Sequence, residues 1–380
     1  MEPPWILILC HEFPPLGGGA GKNLFLLCRE LTSRGVKVKV WTEDPGERKR
    51  HHYDFEVEYI EVGRKERFRT SYKGMAAFII LTCLRGFGLR SNPPAMVFSV
   101  LGIPSGIAGN FISRLTRVPL VVWYHGSDIH GGRTRGPGVV QRFLLRRIWN
   151  RAAMNFFVSK GLQKMAATFG VPKLSSLLSA CPSPEILAYP NEGGDKMETR
   201  YFLFLGRFDP VKQPMLALQA VELLKNRGIV TRRFRMVGGG VLLDALQNFI
   251  CSKSLSPHAV IEGSAAIDTV PELLRQAYAL ILPSRIEGFN TTLLESAHFG
   301  VPAIASDVQG IGDFVKHGEN GLLFKENDVE SLAQAMQALD ADPTLRDKLG
   351  MAARASALPY NPKQVADDFL AGISKVCKAV

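Results

Sequence analysis

The 380-residue chain predicts an α/β fold, built as two doubly wound parallel-sheet domains in tandem. Three observations carry this. Short apolar runs alternate with amphipathic stretches from end to end. The alternation breaks once, in a Pro- and Gly-bearing segment near the middle, and then restarts. A chain of this length also suits two cores better than one.

The elements follow in order. Residues 5–10, WILILC, are continuously apolar and too short for a helix, so they read as a buried strand. Residues 22–33 place Leu24, Leu27, Cys28 and Leu31 on one helical face. Further strands are expected at 36–42, 57–62, 95–100, 119–123 and 154–158. Strand-helix alternation makes them parallel, with helices on both faces. Residues 178–199 carry three prolines and a Gly-Gly, and the linker is placed at 181–199, between domains at 1–180 and 200–360. Strands then recur at 201–205, 233–237, 259–262, 279–282, 302–305 and 321–324, with helices at 214–226 and 241–251. Helices at 328–339, 343–355 and 362–376 close the pattern, and the segment 361–380 is read as returning to the first domain. Ligands of such sheets bind beyond the carboxyl ends of the strands, and two sheets facing each other would make a cleft.

Composition narrows the class. With 46% apolar and 21% charged residues the chain is globular, not disordered. Residues 1–190 hold 26 Lys and Arg against 13 Asp and Glu, net +13; residues 191–380 hold 20 against 22, net −2. A basic first half suits an anionic partner (a membrane surface, an acidic acceptor or nucleic acid) or is simply a solvated surface. The bases are not interleaved with an aromatic platform, so no nucleic acid is expected. The opening MEPPWILILC lacks the basic start of a signal peptide. The best apolar run, 74–84, is half of the roughly 20 residues of a membrane span. A cytoplasmic protein, soluble or peripheral on the inner face of a membrane, is expected. Cys10, Cys28, Cys83, Cys181, Cys251 and Cys377 have neither metal-ligand nor redox spacing.

Four segments can carry chemistry. The loop from His11 to Lys22 holds Gly17, Gly18, Gly19 and Gly21 between a strand and a helix, where amides can meet a phosphate. It fails as a P-loop, because Leu16 and Asn23 stand where Gly and Ser or Thr belong. It fails the dinucleotide spacing too, although Glu43 sits where a ribose-binding acid would, which keeps a dehydrogenase open. His125 and Asp128 lie just past a strand. In the second domain Arg207 and Lys212 offer a fork and a point charge to a diphosphate, and Gly238 to Gly240 end the next strand where backbones come close. Glu287 and Glu295 bracket a loop and helix start whose amides, Gly288 to Thr291, face an anion. Either carboxylate could instead serve as a cap or a solvated charge.

Together these segments resemble family 4 of the retaining glycosyltransferases, group 1, with two Rossmann-like domains in the GT-B fold, over nearly the whole chain. Pro14, Pro15, Gly18 and Gly19 are similar to its Pro-Pro-x-x-Gly-Gly; His125, Gly126 and Asp128 to its His-Gly-x-Asp; Gly206, Arg207 and Lys212 to its Gly-Arg-x4-Lys. Glu287 and Glu295 match its Glu-x7-Glu, and Asn320-Gly321-Leu322 the Asn-Gly-Leu that follows. The resemblance implies that Arg207 and Lys212 stabilise the leaving diphosphate without a metal, and that Glu287 contacts the transferred hexose. It implies that Glu295 holds the ribose, and that Gly238, Gly288, Phe289, Asn290 and Thr291 line the donor. Gly18, Gly19 and His125 would reach the donor from the first domain, with Asp128 a further candidate. No cofactor is implied; the substrate is a nucleotide sugar, UDP- or GDP-linked, and the acceptor a glycan, lipid-linked or polysaccharide precursor.

The departures are specific. Asn290 stands where Glu-Gly-Phe-Gly members carry glycine, Gly21 where many carry an acid, and Ser179 to Pro182 where Pro-Asn-Gly is usual. Asp340 and Asp342 mimic a metal signature at a helix end away from the expected cleft. Basic clusters at Arg48, Lys49, Arg50, Arg64, Lys65, Arg67 and Arg69, and at Arg133, Arg135, Arg142, Arg146, Arg147 and Arg151, mark the acceptor-side domain. Residues 138–150 pair bases with Phe143, Leu144 and Ile148, as a membrane-surface helix does, unless those apolar groups pack on the sheet. The alternatives carried are a nucleotide-sugar epimerase or hydrolase of the same fold and a non-catalytic nucleotide-binding protein.

Overall fold

The computed structural model describes residues 4–16, 18–46, 52–63, 71–130, 138–170, 174–191, 200–229 and 231–377, the side chains of 127 and 130 excepted. The basic residues at 48–50, 64–69, 133 and 135 lie outside the described residues, as does Gly17. Two compact units result: Met1–Cys181 with Asn361–Val380, and Pro182–Tyr360.

The first unit runs β1 (Trp5–Leu9), α1 (Gly19–Ser33), β2 (Lys37–Glu43), β3 (Glu56–Ile60), α2 (Tyr72–Gly86), β4 (Met96–Val100), α3 (Ile107–Thr116), β5 (Leu120–Tyr124), α4 (Ser127–His130), α5 (Val139–Arg151), β6 (Met154–Phe157), α6 (Lys160–Phe169) and β7 (Ser175–Leu177). The second runs α7 (Pro184–Ala188), β8 (Tyr201–Leu205), α8 (Pro214–Asn226), β9 (Phe234–Val237), α9 (Leu243–Ser252), β10 (Ala259–Ile261), α10 (Val270–Arg275), β11 (Ala277–Leu282), α11 (Thr291–His298), β12 (Ala303–Ser306), β13 (Gly321–Phe324), α12 (Val329–Ala341) and α13 (Pro343–Ala357). The closing helix α14 (Pro362–Ile373) belongs to the first unit.

Both sheets are parallel, in the orders β3-β2-β1-β4-β5-β6-β7 and β10-β9-β8-β11-β12-β13. The chain reverses its direction of travel across the first sheet between β1 and β4 and across the second between β8 and β11. Loops leaving such a switch point diverge and open a ligand crevice. The central strands are buried on both faces, which is why they read as unbroken apolar runs. In the first unit α14 completes the core: Val365, Ala366, Phe369 and Ile373 pack with Phe98, Trp123 and Phe156.

Three sequence expectations change. The linker expected at 181–199 is not free at its start, because residues 182–191 pack into the second unit. Ile186 is buried, the Tyr189 hydroxyl donates to Glu272 at 2.7 Å, and the Asn191 amide to the His298 carbonyl at 2.9 Å. The apolar run at 74–84 continues as helix through Arg90, giving 19 residues that include an 18-residue stretch of mean hydropathy 1.2, long and apolar enough to cross a membrane by length and composition. Residues 138–150 split: Leu145, Ile148 and Trp149 are buried, while Val139, Val140 and Phe143 are exposed.

Gly21 shows why no acid stands there. A Cβ at this position would lie 1.9 Å from the Glu12 carbonyl oxygen, so the first turn of α1 fits the loop only without a side chain. Gly21→Ala is expected to destabilise the protein by about 2 kcal/mol, through forced separation of loop and helix, readable in urea unfolding. An unchanged midpoint would mean the loop yields freely.

Candidate active site

In the second unit the loops after β8 and β11 flank the switch point and are tied together, the Arg285 amide donating to the Val211 carbonyl at 2.9 Å. Asp209 shapes the first loop: its Oδ1 accepts the amides of Val211 and Lys212 at 3.1 and 2.9 Å. That turn sends Lys212 inward, while Arg207 stays largely exposed and pairs with Asp209 at 3.1 Å.

Lys212 meets Glu287 at 2.5 Å. The same carboxylate oxygen, Oε1, accepts the Ser284 hydroxyl at 2.7 Å and the Asn290 side-chain amide at 2.9 Å. Among the described residues no donor binds Oε2. Burial pushes the Glu287 carboxyl up, but the Lys212 charge and the three hydrogen bonds outweigh it and hold the group below the ordinary carboxylate range. Asn290 also caps α11, its Oδ1 accepting the Leu293 amide at 3.3 Å. Asn290 thus does two things glycine could not: it starts the helix and steadies the acid. Ser284 is the residue the sequence reading missed; its signal is a hydroxyl three residues before Glu287 at a strand end.

Glu295 is buried one turn into α11, and its Oε1 accepts the Ser183 amide at 3.4 Å. Phe289 stacks on Tyr360 with ring centroids 5.8 Å apart. Gly238 has a structural explanation: a Cβ there would lie 1.9 Å from the Gly206 carbonyl oxygen, so the backbone it approaches is the chain's own. Gly288 is buried and Thr291 opens α11, directly after Asn290. Asn320 is structural, bonding Lys316, Phe314 and Ser356. Asp340 pairs with Arg232 at 2.8 Å and Asp342 caps α13, accepting the Leu345 amide at 2.8 Å, so neither is presented as a metal ligand.

In the first unit Gly18 precedes α1 with open space where a side chain would project, and Gly19 begins the helix. His125 lies 4.3 Å from the Trp123 ring, its Nε2 enclosed, and burial pushes its pKa down to about 3, so the ring is neutral near pH 7. Asp128 turns out to be an architectural group: Oδ2 accepts the Gly102 amide and Oδ1 the Gly126 amide, each at 2.9 Å. Its two oxygens stitch the loops after β4 and β5. Glu43 is wholly buried at the end of β2 and is not offered to a ribose, which removes the observation that kept a dehydrogenase open.

A buried acid fixed by a lysine at a switch point, beside a helix start, is the candidate active site of the second unit. Comparison with known proteins makes the class definite. Residues 187–356 match the family described as glycosyl transferases group 1, and residues 18–175 match the glycosyl transferase 4-like domain. An uncharacterized glycosyltransferase of Methanocaldococcus jannaschii is 26% identical over 262 residues, 69% of this chain and 70% of that one. A GDP-mannose-dependent alpha-(1-6)-phosphatidylinositol monomannoside mannosyltransferase of Mycolicibacterium smegmatis is 27% identical over 270 residues, 67% and 69%. Among solved structures, sucrose-phosphate synthase of Thermosynechococcus elongatus superposes with a TM-score of 0.79 at 17% identity, covering 100% of both chains. HepE of Anabaena, in complex with UDP and glucose, gives 0.76 at 16% identity, covering 98% and 99%. The chain belongs to the group 1, family 4 glycosyltransferases of GT-B fold, and is a transferase enzyme.

Proposed function

We propose that the enzyme is a retaining hexosyltransferase. It moves a hexose from a UDP- or GDP-linked sugar to a glycan or lipid-linked acceptor at an anionic membrane surface, and needs no metal. The observation that carries this is the Lys212–Glu287 pair, braced by Ser284 and Asn290 at the start of α11. In this reading the bond from the anomeric carbon to the diphosphate oxygen breaks, and its electron pair leaves with the diphosphate. The acceptor hydroxyl bonds to the same face of that carbon and passes its proton to the departing oxygen. Lys212 and Arg207 meet the developing negative charge, a fixed electrostatic term. Glu287 faces the sugar through Oε2, Glu295 holds ribose hydroxyls, and amides from Gly288 to Thr291 take donor oxygens. The mannosyltransferase relative supports a lipid-type acceptor, and HepE a UDP donor.

Thermal unfolding with UDP, GDP, ADP, CMP or NAD, each in EDTA, tests the donor site. One nucleoside diphosphate should raise the midpoint, worth about 2.7 kcal/mol at a hundred times its Kd. Glu295→Ala should lose that ligand-induced rise. Stabilisation by NAD alone, or by none of them, would remove the transferase donor site from where it is placed here.

A further inference from the structure

We infer that the outer surface of α2 and α3 is a docking face for an anionic lipid bilayer. This deepens the membrane-facing part of the proposed function by naming the surface, which the sequence reading placed on residues 138–150. Helix α2 turns Gly74, Phe78, Thr82 and Gly86 inward at four-residue spacing, with Gly86 set against Ile112 of α3. The opposite stripe is apolar: Ile80 is 59% exposed, Leu84 60% and Phe87, just past α2, 49%. Phe111 of α3, 38% exposed, extends the stripe, its ring edge-on to Phe87 at 5.8 Å. Large apolar side chains aligned in this way on water are costly unless something covers them.

Charge identifies the cover. No Asp or Glu occurs from residue 67 to residue 127, a stretch holding seven Lys and Arg. Lys73, Arg90, Arg114 and Arg117 are exposed around the stripe, while Arg85 is spent on Glu58 and the Trp41 ring. An apolar ridge rimmed by cations is complementary to the headgroups and acyl boundary of anionic lipid. A second copy of the same face would set like charges against each other. Spanning is opposed by the inward stripe, since Phe78 and Thr82 are wholly buried in the unit's own core. The residues would lie in the interface, with Ile80, Leu84, Phe87 and Phe111 inserted.

Flotation of the whole protein with vesicles tests this. Binding is expected to vesicles of phosphatidylglycerol and phosphatidylethanolamine at low salt, with weak binding to pure phosphatidylcholine and release by sodium carbonate. Leu84→Ser with Phe87→Ser should cut partitioning about tenfold or more, through loss of two inserted side chains. Arg90→Gln and Arg114→Gln should each cut it about fivefold. All variants should keep the nucleotide-induced thermal rise, which separates this face from the donor site and reports folding. The inference is overturned if wild type does not prefer anionic vesicles or if the apolar variant binds as wild type does. It is equally overturned if carbonate fails to release the protein, or if sedimentation without lipid shows a dimer that the variants abolish.

Discussion

Glu287→Gln is expected to lower kcat by about 10²–10³-fold while leaving the donor KM nearly unchanged. The carboxylate receives Lys212, Ser284 and Asn290 on one oxygen. The amide oxygen can still accept from these groups, so the pocket keeps its shape. What disappears is the negative charge beside the reacting sugar. Lys212, freed of its counter-charge, should hold a diphosphate at least as well as before, which is why the loss falls on kcat. A fall in donor affinity with kcat preserved would make Glu287 a binding group only. The pH dependence carries a second signature. Because the folded group titrates below its ordinary value, its stabilisation is full above that value and is lost as pH falls through the depressed one. The variant should therefore lose less stability than wild type on acidification below about pH 4.3.

Lys212→Ala should harm both stability and rate, and the two can be separated. Removing the lysine strands a buried carboxylate, a cost of about 3–5 kcal/mol in comparable pairs. The Glu287 carboxyl should rise towards and beyond its usual range, since burial then acts unopposed by the lysine. Unfolding of the double variant with Glu287→Gln is the decisive comparison. It should be less destabilised than the sum of Lys212→Ala and Glu287→Gln taken singly, by about 1–3 kcal/mol of coupling. Its activity should stay lost, because the leaving diphosphate still lacks its cation. Additive stabilities would show that the 2.5 Å pair contributes no coupling.

Most of the fold was legible because buried parallel strands announce themselves as apolar runs, and 201–205, 214–226 and 321–324 fall on β8, α8 and β13. What escaped has physical causes. β7 is three residues, two of them serine, at a sheet edge, with no apolar run to find. Asp128 read as a site acid because its amide donors, Gly102 and Gly126, are fixed by loop geometry and not by pattern. The packing of residues 182–191 depends on Glu272, Glu295 and His298, about a hundred residues away, and proline content alone suggests a free linker. In the site the motif residues were visible. The convergence of three donors on one oxygen of Glu287 was not, since spacing in sequence does not say which atoms meet.

The return of α14 to the first unit bears on how the molecule is made. The second unit is one continuous segment, Pro182–Tyr360, and emerges whole from the ribosome. The first unit must wait: until residues 362–377 are synthesised, Phe98, Trp123 and Phe156 lack the partners that cover them. The part of the chain translated first is the part whose core closes last, so a nascent first unit carries uncovered apolar surface throughout synthesis of the second, a natural target for chaperones.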